Sequence, residues 1–159
     1  MKLTHVDDIG RARMVDVSAK GESERTAVAE GAVRMSREAF EQVASQSVAK
    51  GEVLAVAEVA GTMAAKRTGE LIPLCHPLSL DLVRVEARLE PELPGVRITA
   101  LARAIGRTGV EMEAMTAVSV ACLTVYDMVK SVDRSMSIES VQLVSKTGGA
   151  RGEWHRAGS

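Results

Sequence analysis

The stretch LDLVRVEARLEPELPGVRITALARAIGR, residues 80–107, decides the fold class. Leu80, Leu82, Arg84, Glu86 and Arg88 fall on one side of an extended chain, and Val83, Val85, Ala87 and Leu89 on the other. After the link ELPG (92–95), Val96, Ile98, Ala100 and Ala102 repeat the alternation. A period of two marks strands, and a short Pro-Gly link between two of them marks an antiparallel hairpin. TGVEMEAMTAVSVACLTVYDMVKSVD (108–133) follows directly. It is too long for a strand and apolar on two sides, the pattern of a helix buried between layers.

Working outward, MSIESVQLVS (136–145) reads as the last strand, and MVDVS (14–18) and RTAVAEGAVRMS (25–36) as earlier ones, with Gly31 marking a bulge. Ser36 is placed to cap a helix over 37–49, which Lys50-Gly51 would end with a left-handed glycine. EVLAVAEVAGTMAAKRT (52–68) predicts a second helix. The order is that of an α+β domain, a largely antiparallel sheet with helices packed on one face. Residues 14–149 form that single domain. Residues 1–13 are expected to be a mobile arm and residues 150–159 a flexible Gly-rich tail.

The 159 residues suffice for one sizeable core, and 46% of them are apolar. Phe40, Tyr126 and Trp154 are the only aromatics, so a stacking platform for single-stranded nucleic acid is excluded. A net charge of -1 likewise argues against a phosphate-backbone surface. Cys75 and Cys122 form no CxxC pattern, and the start MKLTHVDDIG is not a signal peptide. No apolar run approaches the ~18 residues of a membrane span. The expectation is a cytoplasmic protein with reduced thiols and no membrane partner.

Three places carry chemistry. On the long helix, Thr116, Val120, Leu123 and Glu113 lie within about 40° of Asp127, and Lys130 within about 60°. Charges on a partly apolar stripe should pair or bind something. The ordinary alternatives are an i, i+3 surface ion pair for Asp127 and Lys130, and an acid suiting the helix dipole for Glu113. Glu111 follows Thr108 at capping-box spacing. The second place is LIPLCHPLSL (71–80), where prolines at 73 and 77 stiffen a loop carrying Cys75-His76. A zinc site would need partners at ligand spacing, which are missing. His76 is either a satisfied core histidine or, with Lys66 and Arg67, part of an anion site. Third, Lys50 sits at a helix joint, and Lys146 precedes Thr147-Gly148-Gly149, a join that could close over a ligand. GxGxxG and Walker A patterns are absent.

MVDVSAKGESERTAVAEG, AAKRTGELIPLCHPLSLDLV, GVEMEAMTAVSVACLTVYDMVKSVD and LVSKTGGARGEW together resemble the molybdenum cofactor biosynthesis protein C (cyclic pyranopterin monophosphate synthase) family, from about residue 4 to 154. The resemblance implies a ferredoxin-like fold in a homo-hexamer, a trimer of dimers with sites at dimer interfaces. It implies conversion of 3′,8-cyclo-7,8-dihydroguanosine triphosphate to cyclic pyranopterin monophosphate, a lyase reaction that releases pyrophosphate. Asp127, Lys130, Lys50 and His76 would be catalytic. Leu74, Cys75, His76, Met112 and Glu113 would contact substrate, and so would Glu111. Lys66, Arg67 and Lys146 would meet the triphosphate. No metal or cofactor is implied, with magnesium left open as a companion of the triphosphate. The rival classes are a ligand-sensing or RNA-binding module and a metal-dependent hydrolase.

Overall fold

The alternation in residues 80–107 becomes two paired strands in the computed structural model of the protein, which describes residues 4–158. β2 (Leu82–Glu90) and β3 (Gly95–Gly106) run antiparallel with an unbroken register, Leu82 opposite Arg103 and Glu90 opposite Gly95. β1 (Ser23–Arg34) pairs with the other side of β3, and β4 (Ser137–Thr147) with the other side of β1. β5 (Trp154–His155) adds a short strand to β4, within the segment expected as tail. The sheet order is β2-β3-β1-β4-β5 with every pair antiparallel. Together with the helices α1 (Arg37–Ala44), α2 (Val53–Lys66), α3 (Thr68–Leu71) and α4 (Glu111–Val129), this is the expected α+β, ferredoxin-like arrangement.

The core is built from small side chains. Val96, Ile98, Ala100, Ala102 and Ala104 of β3 are buried, as are Ala27, Ala29 and Val33 of β1. α2 and α4 lie over that face. Their backbones approach closely because a Cβ on Gly61 of α2 would come within 2.9 Å of the Ala117 carbonyl oxygen and 3.2 Å of Ala121 Cβ. By length and composition α4 could cross a membrane. Here Ala114, Ala117, Val118, Ala121, Cys122 and Val125 are buried in the fold instead. At the open edge of the sheet, Glu58 of α2 accepts a 2.9 Å hydrogen bond from the Ala87 N–H of β2.

Several local expectations are corrected. MVDVS is not a strand. It has no ladder partner among the described residues and turns where Asp16 Oδ1 accepts from the Ser18 N–H and hydroxyl. Gly31 does mark a bulge, but towards β4: the β1–β4 register shifts between Glu30 and Ala32, with Ser140 and Val141 opposite this one glycine, while the pairing with β3 passes through it unshifted. Ser140 in that bulge has a φ of 54°, and a second irregularity in the β1–β4 pairing falls between Val28 and Ala29. Gly31 is small because Val118 Cγ1 of α4 would stand 2.7 Å from any Cβ there. Ser36 caps α1 as expected, but the helix stops at Ala44. Gln46 takes the left-handed φ of 56°, and the Ser47 N–H reaches back to the Gln42 carbonyl, closing the end before Lys50-Gly51. Residues 1–3 of the expected arm lie outside the described residues. Farther along the arm, Asp7 Oδ1 accepts from the N–H groups of Ile9 and Arg11, and Val6 bridges Ala12.

Candidate functional site

α4 carries one cluster at each end. At its C-terminal end, Asp127 Oδ2 accepts from Lys50 Nζ at 2.7 Å, and Oδ1 accepts from Lys130 Nζ at 2.6 Å. Lys50 Nζ also donates to the Asp127 backbone carbonyl at 2.9 Å. Lys50 can do so because α2 runs antiparallel to α4, so the joint before α2 lies beside the end of α4. These side chains stand on the outer face of the helical layer rather than in a half-buried stripe. They are 46%, 55% and 51% exposed for Lys50, Asp127 and Lys130. An isolated pair so exposed does little for stability. The hydrogen bonds from Lys130 and then Lys50 hold the Asp127 carboxyl down at about 2, so it is an anion throughout the neutral range.

At the N-terminal end the groups are drier. Glu113 is only 2% exposed, and its Oε2 has no hydrogen-bond partner among the described residues. Cys75 Sγ lies 3.8 Å from Glu113 Oε1. Burial raises the Glu113 carboxyl above the usual carboxylate range, and the Glu111 charge adds to the rise. Burial and the Glu113 charge push the Cys75 thiol up to about 11, which favours the protonated thiol at neutral pH. Glu111 does not cap its helix. The cap position is Val110, which has no side-chain bond, and Glu111 Oε1 instead accepts from Lys146 Nζ of β4 at 2.6 Å.

Beside these groups opens a cavity of 730 Å³ walled by His76, Glu111 and Lys146 together with the turn at Gly148-Gly149. Val15 and Val17 of the supposed first strand line it, which explains their alternation without a ladder. Five cations reach it, Lys20, Arg25, Arg107, Lys146 and Arg151, against two carboxylates, Glu22 and Glu111. A surplus of three positive charges in a chain of net charge -1 is a built preference for an anion. Among the described residues, no three His, Cys, Asp or Glu side chains gather to hold a metal ion.

The sequence-derived site is thus split. His76, Glu111 and Lys146 share the cavity, and Cys75 and Glu113 touch next to it. Leu74 is half-buried on the same loop, and Met112 is exposed on α4. Lys50, Asp127 and Lys130 stand roughly 24 Å away along α4. Lys66 and Arg67 are exposed and line no part of the cavity, so they do not join His76 as expected. Sequence reasoning missed Lys20, Arg25, Arg107, Arg151 and His5, which are scattered singly among unrelated elements. The glycine pair at 148–149 was the signal nearest to them.

Residues 14–149 match the model of the MoaC family. The chain is also similar to proteins named cyclic pyranopterin monophosphate synthase from Brucella ovis, Brucella melitensis and Brucella suis. Each is 58% identical over 153 residues, covering 96% of this chain and 93% of the relative.

Proposed function

The chain belongs to the MoaC family and is an enzyme of molybdenum cofactor biosynthesis, and from that premise we propose that it is itself a cyclic pyranopterin monophosphate synthase. It takes 3′,8-cyclo-7,8-dihydroguanosine triphosphate and releases pyrophosphate as the cyclic phosphate closes. The observation that carries this reading is the cavity with three excess positive charges beside a buried, incompletely bonded Glu113. That pairing suits a ligand with a polyanionic end and a polar heterocycle. Cations arranged in advance stabilise negative charge as it builds on departing pyrophosphate, because they need no reorganisation at that moment. Glu113, held towards its neutral form, offers a proton or hydrogen bond to the ring, with His76 facing the phosphate side.

The complete site is composite in this reading. The outer face of the helical layer exposes Val56, Val59 and Met63 of α2 with Met112 and Leu123 of α4. A second copy related by a twofold axis covers that stripe and sets its α4 antiparallel to the first. The Lys50–Asp127–Lys130 cluster of one chain then meets the His76 and Glu113 end of the other, and Asp127 with its two lysines shuttles protons. The dimers assemble further into a hexamer.

Two measurements test this. Incubation with the cyclised dihydro-GTP substrate should release pyrophosphate, and no release ends the proposal. Co-expressed Asp127→Ala and His76→Ala chains, each inactive alone, should regain up to about a quarter of wild-type turnover, since half the dimers carry one intact site. A mixture as dead as its parts would put both clusters to work within one chain or nowhere. An Asp127→Ala protein that still binds substrate but turns none over separates the enzyme from a ligand sensor.

A further inference from the structure

The last strand of the sheet lies where a flexible tail was expected, and it is fastened to the part of β4 that carries Lys146. β5 sets Trp154 opposite Lys146 and His155 opposite Ser145. One residue on, the Arg156 N–H donates to the Val144 carbonyl at 2.8 Å, and Arg156 Nε donates to the Leu143 carbonyl, also at 2.8 Å. The hairpin leading into β5 closes where the Gly152 N–H donates to the Gly149 carbonyl at 3.1 Å. Gly152 has a φ of 66°. A Cβ there would meet nothing within 4 Å, so the backbone turn alone favours glycine.

The register decides which side chains are neighbours. Lys146 lies opposite Ala27 of β1, which is buried beneath the helices, and its Nζ reaches Glu111 of α4. Residues opposite each other in a ladder share a face, so Trp154 stands beside Lys146 on the helical side of the sheet. Arg156, two positions on, shares that face and lies over the indole, 5.8 Å from the ring centroid. Trp154 does not line the cavity and is 40% exposed, so neither ligand contact nor core burial accounts for it.

Without β5, the end of β4 would be the outer edge of the sheet. Edge segments fray, and a long ammonium side chain carried on a fraying strand loses its direction. We infer that Trp154 is a positioning residue for Lys146: β5, locked by Arg156, holds the end of β4 and keeps the Lys146 ammonium aimed at Glu111 and the cavity. The strand makes that end interior, and the indole lies along the aliphatic stem of the lysine. Ordering the side chain in advance removes that cost from ligand binding. The inference rests on the proposed function for what Lys146 meets in the cavity, but its structural half is tested without substrate.

Amide hydrogen exchange on the full-length chain is the first measurement. In Trp154→Ala, exchange over residues 143–147 should quicken about tenfold while the β2–β3 hairpin keeps its rate. Trp154→Phe, which keeps a ring, should exchange like the wild type. Unchanged exchange in Trp154→Ala overturns the inference. The second measurement is kcat/KM for pyrophosphate release from the cyclised dihydro-GTP. Trp154→Ala should lose about three- to tenfold, up to the scale of one charge-assisted hydrogen bond, and Trp154→Phe should regain most of it. Lys146→Ala should lose more, and adding Trp154→Ala to it should cost nothing further, because the tryptophan acts through the lysine. Losses that multiply would overturn the positioning role, as would a Phe variant as impaired as the Ala variant. Should Trp154→Ala fail to fold, Arg156→Ala carries both measurements, and wild-type exchange and rate in it sink the inference. Quickened exchange in Trp154→Ala, with no pyrophosphate released by the wild type, would defeat the proposed function and leave the β5 clamp standing. Wild-type turnover with unaltered exchange in the variant would do the opposite.

Discussion

At the C-terminal end of α4 the Asp127 carboxylate accepts from two ammonium groups, with both hydrogen bonds at or below 2.7 Å, while at the N-terminal end the Glu113 carboxylate is buried with one oxygen unpaired. One acid is exposed yet fully bonded; the other is dry and incompletely bonded. The first arrangement fixes an anion in place and keeps it charged. The second leaves a bond unmade and favours the neutral acid. The same helix thus presents two acids held in opposite protonation tendencies, which is how acid and base roles are separated at one pH.

The largest effects should come from the exposed end. Asp127→Ala, Lys130→Ala and Lys50→Ala are each expected to lower turnover by about 10²–10⁴-fold, the range of a lost acid–base group. Thermal unfolding near neutral pH should fall only slightly, because all three side chains are half in water. Wild-type rates in all three would remove this end from the chemistry.

Glu113→Gln should separate activity from stability. Turnover falls, while the melting temperature at pH 8 rises by about 2–4 °C for each kcal/mol of relieved burial. The sign follows from the raised carboxyl. The folded state holds that proton more tightly than the unfolded chain, so wild-type stability declines as pH climbs past the ordinary glutamate value. The advantage of Gln should vanish near pH 4. Asp127→Asn should show the opposite sign: its wild-type partner is favoured above the unfolded aspartate value, and that advantage fades as pH falls towards about 2. Parallel pH curves for the two variants would erase the contrast between the ends.

Smaller effects remain. Gly31→Ala lies midway between the clusters and should cost about 1–3 kcal/mol by overpacking against Val118, measured by denaturant unfolding. Cys75→Ser should lose only a little activity. With thiols pushed up to about 11 for Cys75 and about 12 for Cys122, a disulfide reagent at pH 8 should react slowly with the folded protein and with both cysteines after unfolding. Rapid labelling of Cys75 would show that its surroundings are less dry than its contact with Glu113 implies.

The hairpin, α4 and the Pro-bounded loop were legible because each rests on local periodicity or stiff residues. Asp127 with Lys130 was legible as a pair for the same reason, their spacing on a helix. Lys50 required knowing that α2 turns back along α4. The cavity's arginines were not legible, since Arg25 lies in β1 and Arg107 just past the end of β3, and they meet only through the sheet. MVDVS misled because cavity lining and strand pairing write the same alternation. Thr108 and Glu111 misled because a capping spacing says nothing of Lys146, thirty-five positions later in the chain.

Glu58 has a bearing on how copies of this protein can meet. By taking the Ala87 N–H, it occupies a donor that an incoming strand would use to lengthen the sheet at β2. Growth by edge-to-edge addition is blocked at that rim, so fibre-like propagation there is discouraged while the face over the helices stays open to closed, symmetric association.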